Sequence, residues 1–354
     1  MSNARYWRPR PFWARGRVVL ASLLALGLAG VFLASCTTGS APSATPIVGL
    51  PSIGISVPLQ RVACTLGDAC VALGATSASV GPSTVAEYRT ASSHWLALAT
   101  PSSPEAQFSA TSCWNSDCLI GGAQASGDLL WDYHGSNHSL TALRAPAGGV
   151  DLGSLNCFGP ARCVALDYDA RGDVRLSSSL DGGNTWSAPL VLAWAQGDTI
   201  GALACHSTND CLVGVNTSAG AVVLKVTHDA GVTWTTLDAT TSWSSLRALT
   251  CRARSCVALV DVQGATQLRR SRTFGQSWRG VNVSGGASAL ACTSYRHCVL
   301  IGKNTTGAPW LAQVSGNVVS ARVLRYVPSA LVDVACGTNT CAAVAVTTVL
   351  AFAP

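Results

Sequence analysis

From about residue 60 onward the chain repeats one pattern of apolar runs and polar turns. Residues 201–237 show it most plainly. Gly201-Ala-Leu-Ala-Cys205 is followed by the polar turn 206–210 and then by Cys211-Leu-Val-Gly-Val215. A second turn, 216–220, precedes Ala221-Val-Val-Leu-Lys-Val226, and the loop Thr227–Trp234 leads into a last short run, 235–237. Runs this short, rich in Val, Leu and Ala and bounded by turn residues, have the length of strands and not of helices. Four of them joined by tight turns predict a four-stranded antiparallel meander.

Cysteines mark the recurrence of this unit. The pairs are Cys64/Cys70, Cys113/Cys118, Cys157/Cys163, Cys205/Cys211, Cys251/Cys256, Cys292/Cys298 and Cys336/Cys341. Their first members lie 49, 44, 48, 46, 41 and 44 residues apart. A period of about 45 residues is that of a propeller blade. The chain is therefore expected to be all-β, a seven-bladed β-propeller of four-stranded antiparallel blades spanning residues 55–354. The last repeat is short, with room for two strands after Cys341. A closed ring must cover its edge strand, so Ile55-Ser-Val-Pro-Leu-Gln60 is expected to complete the last blade and clasp the two ends of the chain.

Upstream the composition changes. Arg5, Arg8, Arg10, Arg15 and Arg17 precede an apolar run from Val18 to Leu33, and Leu33-Ala-Ser-Cys36 closes it. A basic start, a short apolar stretch and a small-residue junction make a secretory signal. The junction resembles a bacterial lipobox. That resemblance implies a signal peptide over 1–35, lipidation of Cys36 with diacylglycerol, cleavage before it, and N-acylation. The other reading is an uncleaved anchor, because the run is near the lower limit for spanning. Either way the protein is attached to the cell membrane on its extracytoplasmic side. Residues 36–54, rich in Ser, Thr, Pro, Ala and Gly, read as a flexible tether. Loss of the five leader arginines takes the net charge from +6 to +6 − 5 = +1. No run of basic residues interleaved with aromatics remains, so no nucleic-acid partner is expected.

Export also places the other fourteen cysteines in an oxidising compartment, where local pairs form disulfides. Zinc would need four convergent ligands, whereas successive pairs lie one blade apart. One hairpin disulfide per blade is expected, each contributing roughly 2 kcal/mol by closing a six- or seven-residue loop.

A second motif keeps phase with the cysteines. Ser179-Leu-Asp181-Gly-Gly183-Asn-Thr-Trp186 and Thr227-His-Asp229-Ala-Gly231-Val-Thr-Trp234 share the form Ser/Thr-x-Asp-x-Gly-x-Thr-Trp. Ser271-Arg-Thr273-Phe-Gly275-Gln-Ser277-Trp278 is a variant without the aspartate, and Trp95 and Leu140 mark decayed copies. The Asp carboxylate accepts backbone N–H groups of its own turn, Gly supplies positive φ, and Trp buries a large ring. Over residues 55–354 the chain resembles the BNR/Asp-box β-propellers, the repeat family that includes sialidases and sortilin-type propellers. The box is a structural staple and specifies no chemistry.

In a meander the first and third turns share one face, so disulfides and boxes reinforce that face. Ligand binding is expected on the opposite face and in the channel, with Asp169, Arg171, Asp173, Trp194, Trp243 and Tyr326 as candidates. Asp167-Tyr-Asp169-Ala-Arg171-Gly-Asp173 begins with calcium-loop spacing, but Arg171 replaces an oxygen ligand and no Glu follows; a solvated turn fits better. Trp194 and Trp243 either stack on a ligand or pack between blades, and His134 and His138 form either a metal pair or an ordinary polar turn. The resemblance implies, for a sialidase-like site, three arginines, a Tyr/Glu nucleophile pair and an Asp acid/base. Only two glutamates exist, Glu87 and Glu105, and Glu87 alternates in a strand with Tyr88. No hydrolase elbow or zinc motif appears. The expectation is a monomeric, non-enzymatic module for a protein or glycan, without metal or cofactor. The alternatives are a divergent sialidase-like glycoside hydrolase and a structural envelope or assembly factor.

Overall fold

A computed structural model describes residues 48–49, 58–74, 84–89, 94–98, 100 and 106–354, except 159–160, 193, 195–196, 238–241, 284, 325–326, 328–329 and 347. All of these lie in a unit running from Ala44 to Pro354. The leader, Cys36, most of the tether and Tyr326 fall outside the described residues.

The protein is a ring of seven four-stranded antiparallel sheets. Blade 1 runs from Leu59–Cys64 through Cys70–Gly74 and Thr84–Arg89 to His94–Leu98. Blades 2 to 6 begin at Gln107, Asp151, Thr199, Trp243 and Gly286 and repeat the same order. Blade 7 comprises Leu331–Cys336, Cys341–Ala345 and Thr348–Phe352, and its outer edge is covered by Val48–Gly49. An upstream strand does close the ring, but it is not the expected 55–60. Leu59 and Gln60 belong to the inner strand of blade 1, pairing with Cys70–Gly74. The chain thus begins its last blade inside the segment read as tether.

The second strand of each blade is nearly continuous apolar sequence, such as Cys70-Val-Ala-Leu-Gly74 and Cys341-Ala-Ala-Val-Ala345, and both of these are buried throughout. A strand sandwiched between neighbouring blades has two buried faces, so alternation vanishes. Each of the seven core clusters combines residues from two adjacent blades, as where Val71 and Leu73 meet Ile120 and Trp131.

All seven cysteine pairs form disulfides within their own hairpins, with Cα separations of 3.9–4.1 Å. The bridges do more than staple their hairpins. Their second cysteines are not surface groups: Cys118, Cys163 and Cys256, like Cys70 and Cys341, have no solvent exposure. Cys118 packs in the core between blades 1 and 2, Cys163 between blades 2 and 3, and Cys256 between blades 4 and 5. The reason is position, because each of them lies in the doubly buried second strand. The bridges therefore fill the cores as well as closing the hairpins, and those sulfurs offer no ligand contact.

The box turns fold as local chemistry requires. Asp181 accepts the Thr185 N–H at 2.9 Å and its hydroxyl at 2.6 Å; Asp229 does the same with Thr233 at 2.8 and 2.6 Å. These bonds to the ionised form hold both carboxyls below the usual range, Asp229 at about 2. Gly183 and Gly231 have φ of 89° and 90°, and a Cβ on Gly183 would meet Leu119 of blade 2 at 2.8 Å. Trp186, Trp234 and Trp278 pack on the cores between a blade and its predecessor. First and third turns are tied directly in blades 3 to 6, for example Gly182 N to Ala161 O at 2.7 Å and Gly316 N to Arg296 O at 2.9 Å. In blades 3 to 5 the disulfide hairpin and the box therefore do share one end of the blade.

Two aspartates help tie blade 7 to blade 1. Asp68, in the first turn of blade 1, accepts Asn339 N, Thr340 N and Asn339 Nδ2 at 2.7, 3.0 and 3.0 Å. Asp333, in the inner strand of blade 7, accepts Val62 N at 3.0 Å.

Candidate ligand-binding sites

The seven inner strands enclose a channel of about 570 Å³ lined by small, polar and aliphatic residues, with Arg61, Arg247 and Asp333 as its charges. Every inner strand carries an extra residue, among them Ser109, Gly201, Arg247 and Ser288. A bulge frees backbone and re-aims side chains, and here much of that capacity joins blade to blade. Cys157 N donates to Ser112 Oγ and Cys205 N to Asn156 Oδ1, both at 2.8 Å, and Arg61 Nε donates to Ser109 O at 3.1 Å. Arg247 is paired with Asp261 at 2.7 Å. Enclosure by the strands raises the Asp333 carboxyl to about 6, against the lowering pull of Val62 N and Arg61.

Several acidic groups are committed as well. Glu87 accepts a hydrogen bond from Tyr133 OH at 2.7 Å and pairs with His138 Nδ1 at 2.6 Å. This Tyr–Glu contact joins blades 1 and 2 and is invisible in sequence, yet both side chains are fully buried. His134 instead faces Asp132 at 3.5 Å, so the two histidines serve different carboxylates. Asp128, Asp151, Asp167 and Arg175 meet on the opposite face, between blades 2 and 3. Arg175 holds Asp167 through Nε and Nη2 at 2.8 and 2.9 Å and donates to Ala147 O at 2.9 Å. Both Asp128 oxygens are buried without a partner, and burial together with the Asp167 charge raises this carboxyl to about 7. A Cβ on Gly149 would lie 1.8 Å from Asp128 Oδ2, so the crossing loop presses directly on the acid. Among the described residues no cluster of three or more His, Cys, Asp or Glu is placed to hold a metal ion.

Among the described candidates, Asp169, Trp194 and Trp243 are each held by local contacts. Asp169 caps its own exposed turn by accepting Arg171 N and Asp173 N at 2.8 and 3.0 Å. Trp194 is half-buried against the core of blades 3 and 4. Trp243 is corrected outright as a ligand residue. It starts the inner strand of blade 5, is 3% exposed, and packs edge-on against Trp278 with centroids 5.2 Å apart. Burial between blades wins because the ring fills the space beside the box tryptophan.

Sequence reasoning misses a recess on the disulfide face. It has a volume of about 710 Å³ and lies between the box turn of blade 5, the first turn of blade 6 and Gly316-Asn317. Arg270, Arg272, Arg279 and Arg296 line it with Tyr295, and no carboxylate does. The Arg270 and Arg272 guanidiniums lie 5.8 and 5.1 Å from the Tyr295 ring centroid. Arg270, 5% exposed, donates to the Gly316 and Arg296 carbonyls, while its Nε has no partner. Burial lowers its pKa, as does the charge of Arg296. The signal in the sequence is Arg269-Arg-Ser-Arg272 leading into a box whose Asp is Thr273. Assigning that face to scaffold alone hides it.

The chain matches no family model, and comparison with curated proteins finds no match. Solved structures share the fold at low identity. A structure of YCF48 bound to D1 peptide is 14% identical with a TM-score of 0.60, covering 87% of this chain and 96% of that one. Virginiamycin B lyase from Staphylococcus aureus is 10% identical with a TM-score of 0.64, covering 87% and 99%. The WD40 propeller domain of Doa1 is 11% identical with a TM-score of 0.57, covering 88% and 95%.

Proposed function

We propose that this protein is a membrane-anchored, extracytoplasmic β-propeller that acts as a non-enzymatic protein-binding module. The observation that carries the reading is the open, arginine-lined recess, a surface with charge to offer and, among the described residues, no ion pair for it. Supporting it, Glu87 and Asp333 serve to join blades. Propellers of similar fold include one solved with a peptide bound. The anchor rests on the leader and on Leu33-Ala-Ser-Cys36.

The test is capture from envelope extracts with the full chain in mild detergent, followed by mass spectrometry. A polypeptide recovered in near-stoichiometric amount supports the reading. Recovery of carbohydrate alone, or of nothing above a bait-free control, overturns it. One arrangement favours hydrolysis instead: Asp128, raised to about 7, lies beside Asp167, which burial also raises against the pull of Arg175, so two neighbouring carboxyls are available for proton transfer. Turnover of aryl glycosides that disappears in Asp128→Asn would establish that reading.

A further inference from the structure

We propose that the recess between blades 5 and 6 docks an acidic segment of a partner protein, its Asp and Glu carboxylates seated on Arg272, Arg279 and Arg296. This rests on the protein-binding reading above and names the chemistry of the partner.

Two arginines elsewhere in this protein have a counter-charge: Arg175 has Asp167 at 2.8 Å and Arg247 has Asp261 at 2.7 Å. The recess brings four guanidiniums together, and among the described residues none of them has an ion pair. Concentrating like charge is unfavourable in the free protein, and a bound anion relieves it. Guanidinium forks match carboxylates two bonds at a time. Arg270 and Arg272 are further held by the face of Tyr295, which limits the side-chain entropy lost on binding.

The box turn at the edge of the recess supplies an independent observation. In blades 3 and 4 its second polar position is an aspartate. In blade 5 it is Thr273, whose hydroxyl accepts Ser277 N at 3.0 Å and lies 3.0 Å from Ser277 Oγ. Asp229 makes the same two contacts, with Thr233, at 2.8 and 2.6 Å. The turn therefore keeps its shape without its charge. The carboxylate is missing from the box that borders the arginines, where it would have answered them internally. A polypeptide fits the rim as well, because Val318, next to Asn317, is 66% exposed and offers apolar contact beside the charges.

The test is fluorescence anisotropy of a labelled octaglutamate peptide with the full chain in detergent, with octalysine as the control. Binding should weaken at least about tenfold between 0.1 and 1 M NaCl, as the screening length falls from about 10 to 3 Å. Arg272→Glu/Arg296→Glu should lower affinity by about tenfold or more. Thr273→Asp suits the turn, so it should lower affinity by roughly threefold with an unchanged or higher melting temperature. Wild-type affinity in both variants overturns the assignment, as does polygalacturonate binding more tightly than the peptide and displacing it. If a captured partner binds Arg272→Glu/Arg296→Glu as well as wild type, this site falls while the protein-binding reading stands.

Discussion

Replacing Asp128 with Asn should stabilise the protein, increasingly so as the pH rises. In the folded chain both Asp128 oxygens are shut beneath Gly149 without a hydrogen-bond partner, and the carboxyl is raised from 3.8 to about 7. The unfolded chain releases that proton near pH 4. Between pH 4 and 7 the folded state thus holds more protons than the unfolded one, and stability falls as pH rises. A shift of about 3 units at 1.4 kcal/mol each sets a ceiling of about 4 kcal/mol above pH 7; solvent reaching the loop brings the expected figure to about 2 kcal/mol. Asn has nearly the same shape and no charge to bury. Calorimetry from pH 4 to 8 should give Asp128→Asn and wild type similar melting temperatures near pH 4 and a variant about 3 °C higher at pH 8. A difference that stays flat across this range, or a variant that is less stable at pH 8, would refute the reasoning.

Other perturbations probe ring closure, blade packing and the anchor. Asp68→Ala removes three hydrogen bonds between blades 1 and 7 and should cost about 2 kcal/mol in a denaturant melt without altering the disulfide map. Gly122→Ala places a Cβ 1.8 Å from the Gln107 carbonyl, where backbone cannot yield, so a loss of about 3 kcal/mol or failure to fold is expected by melting or expression. Cys36→Ala should abolish lipidation and leave the leader uncut, read as mass and detergent-phase partition. A wild-type product of unmodified full-length mass would contradict the lipoprotein reading.

Much of the architecture was legible because it repeats. Seven cysteine pairs in phase with three box turns set blade number, strand order and the reinforced face, since each rests on interactions only a few residues apart. How deeply the second cysteines sit was not legible, because the burial of Cys118, Cys163 and Cys256 is set by the neighbouring blade and not by their own hairpin. The closing strand was hidden too: Val48–Gly49 offers two residues, and its pairing with Leu350 and Ala351 spans nearly the whole chain. Trp243 was ambiguous for a related reason, since a ring beside a crossing loop is exposed or buried according to the blade beside it. The recess depends on three turns from two blades, and its basic residues are scattered from 270 to 296. Thr273 was the legible clue, and its missing charge, more than its lapse from the motif, carried the information.

The protein-binding claim is tested most directly by photo-crosslinking from the recess in living cells, with a benzophenone amino acid in place of Asn317. The account predicts one dominant polypeptide adduct, with the crosslinked peptide rich in Asp and Glu, lost when Arg272 and Arg296 are changed to Glu. An adduct indifferent to those arginines would remove the recess as the docking site, and absence of any polypeptide adduct would contradict the protein-binding claim.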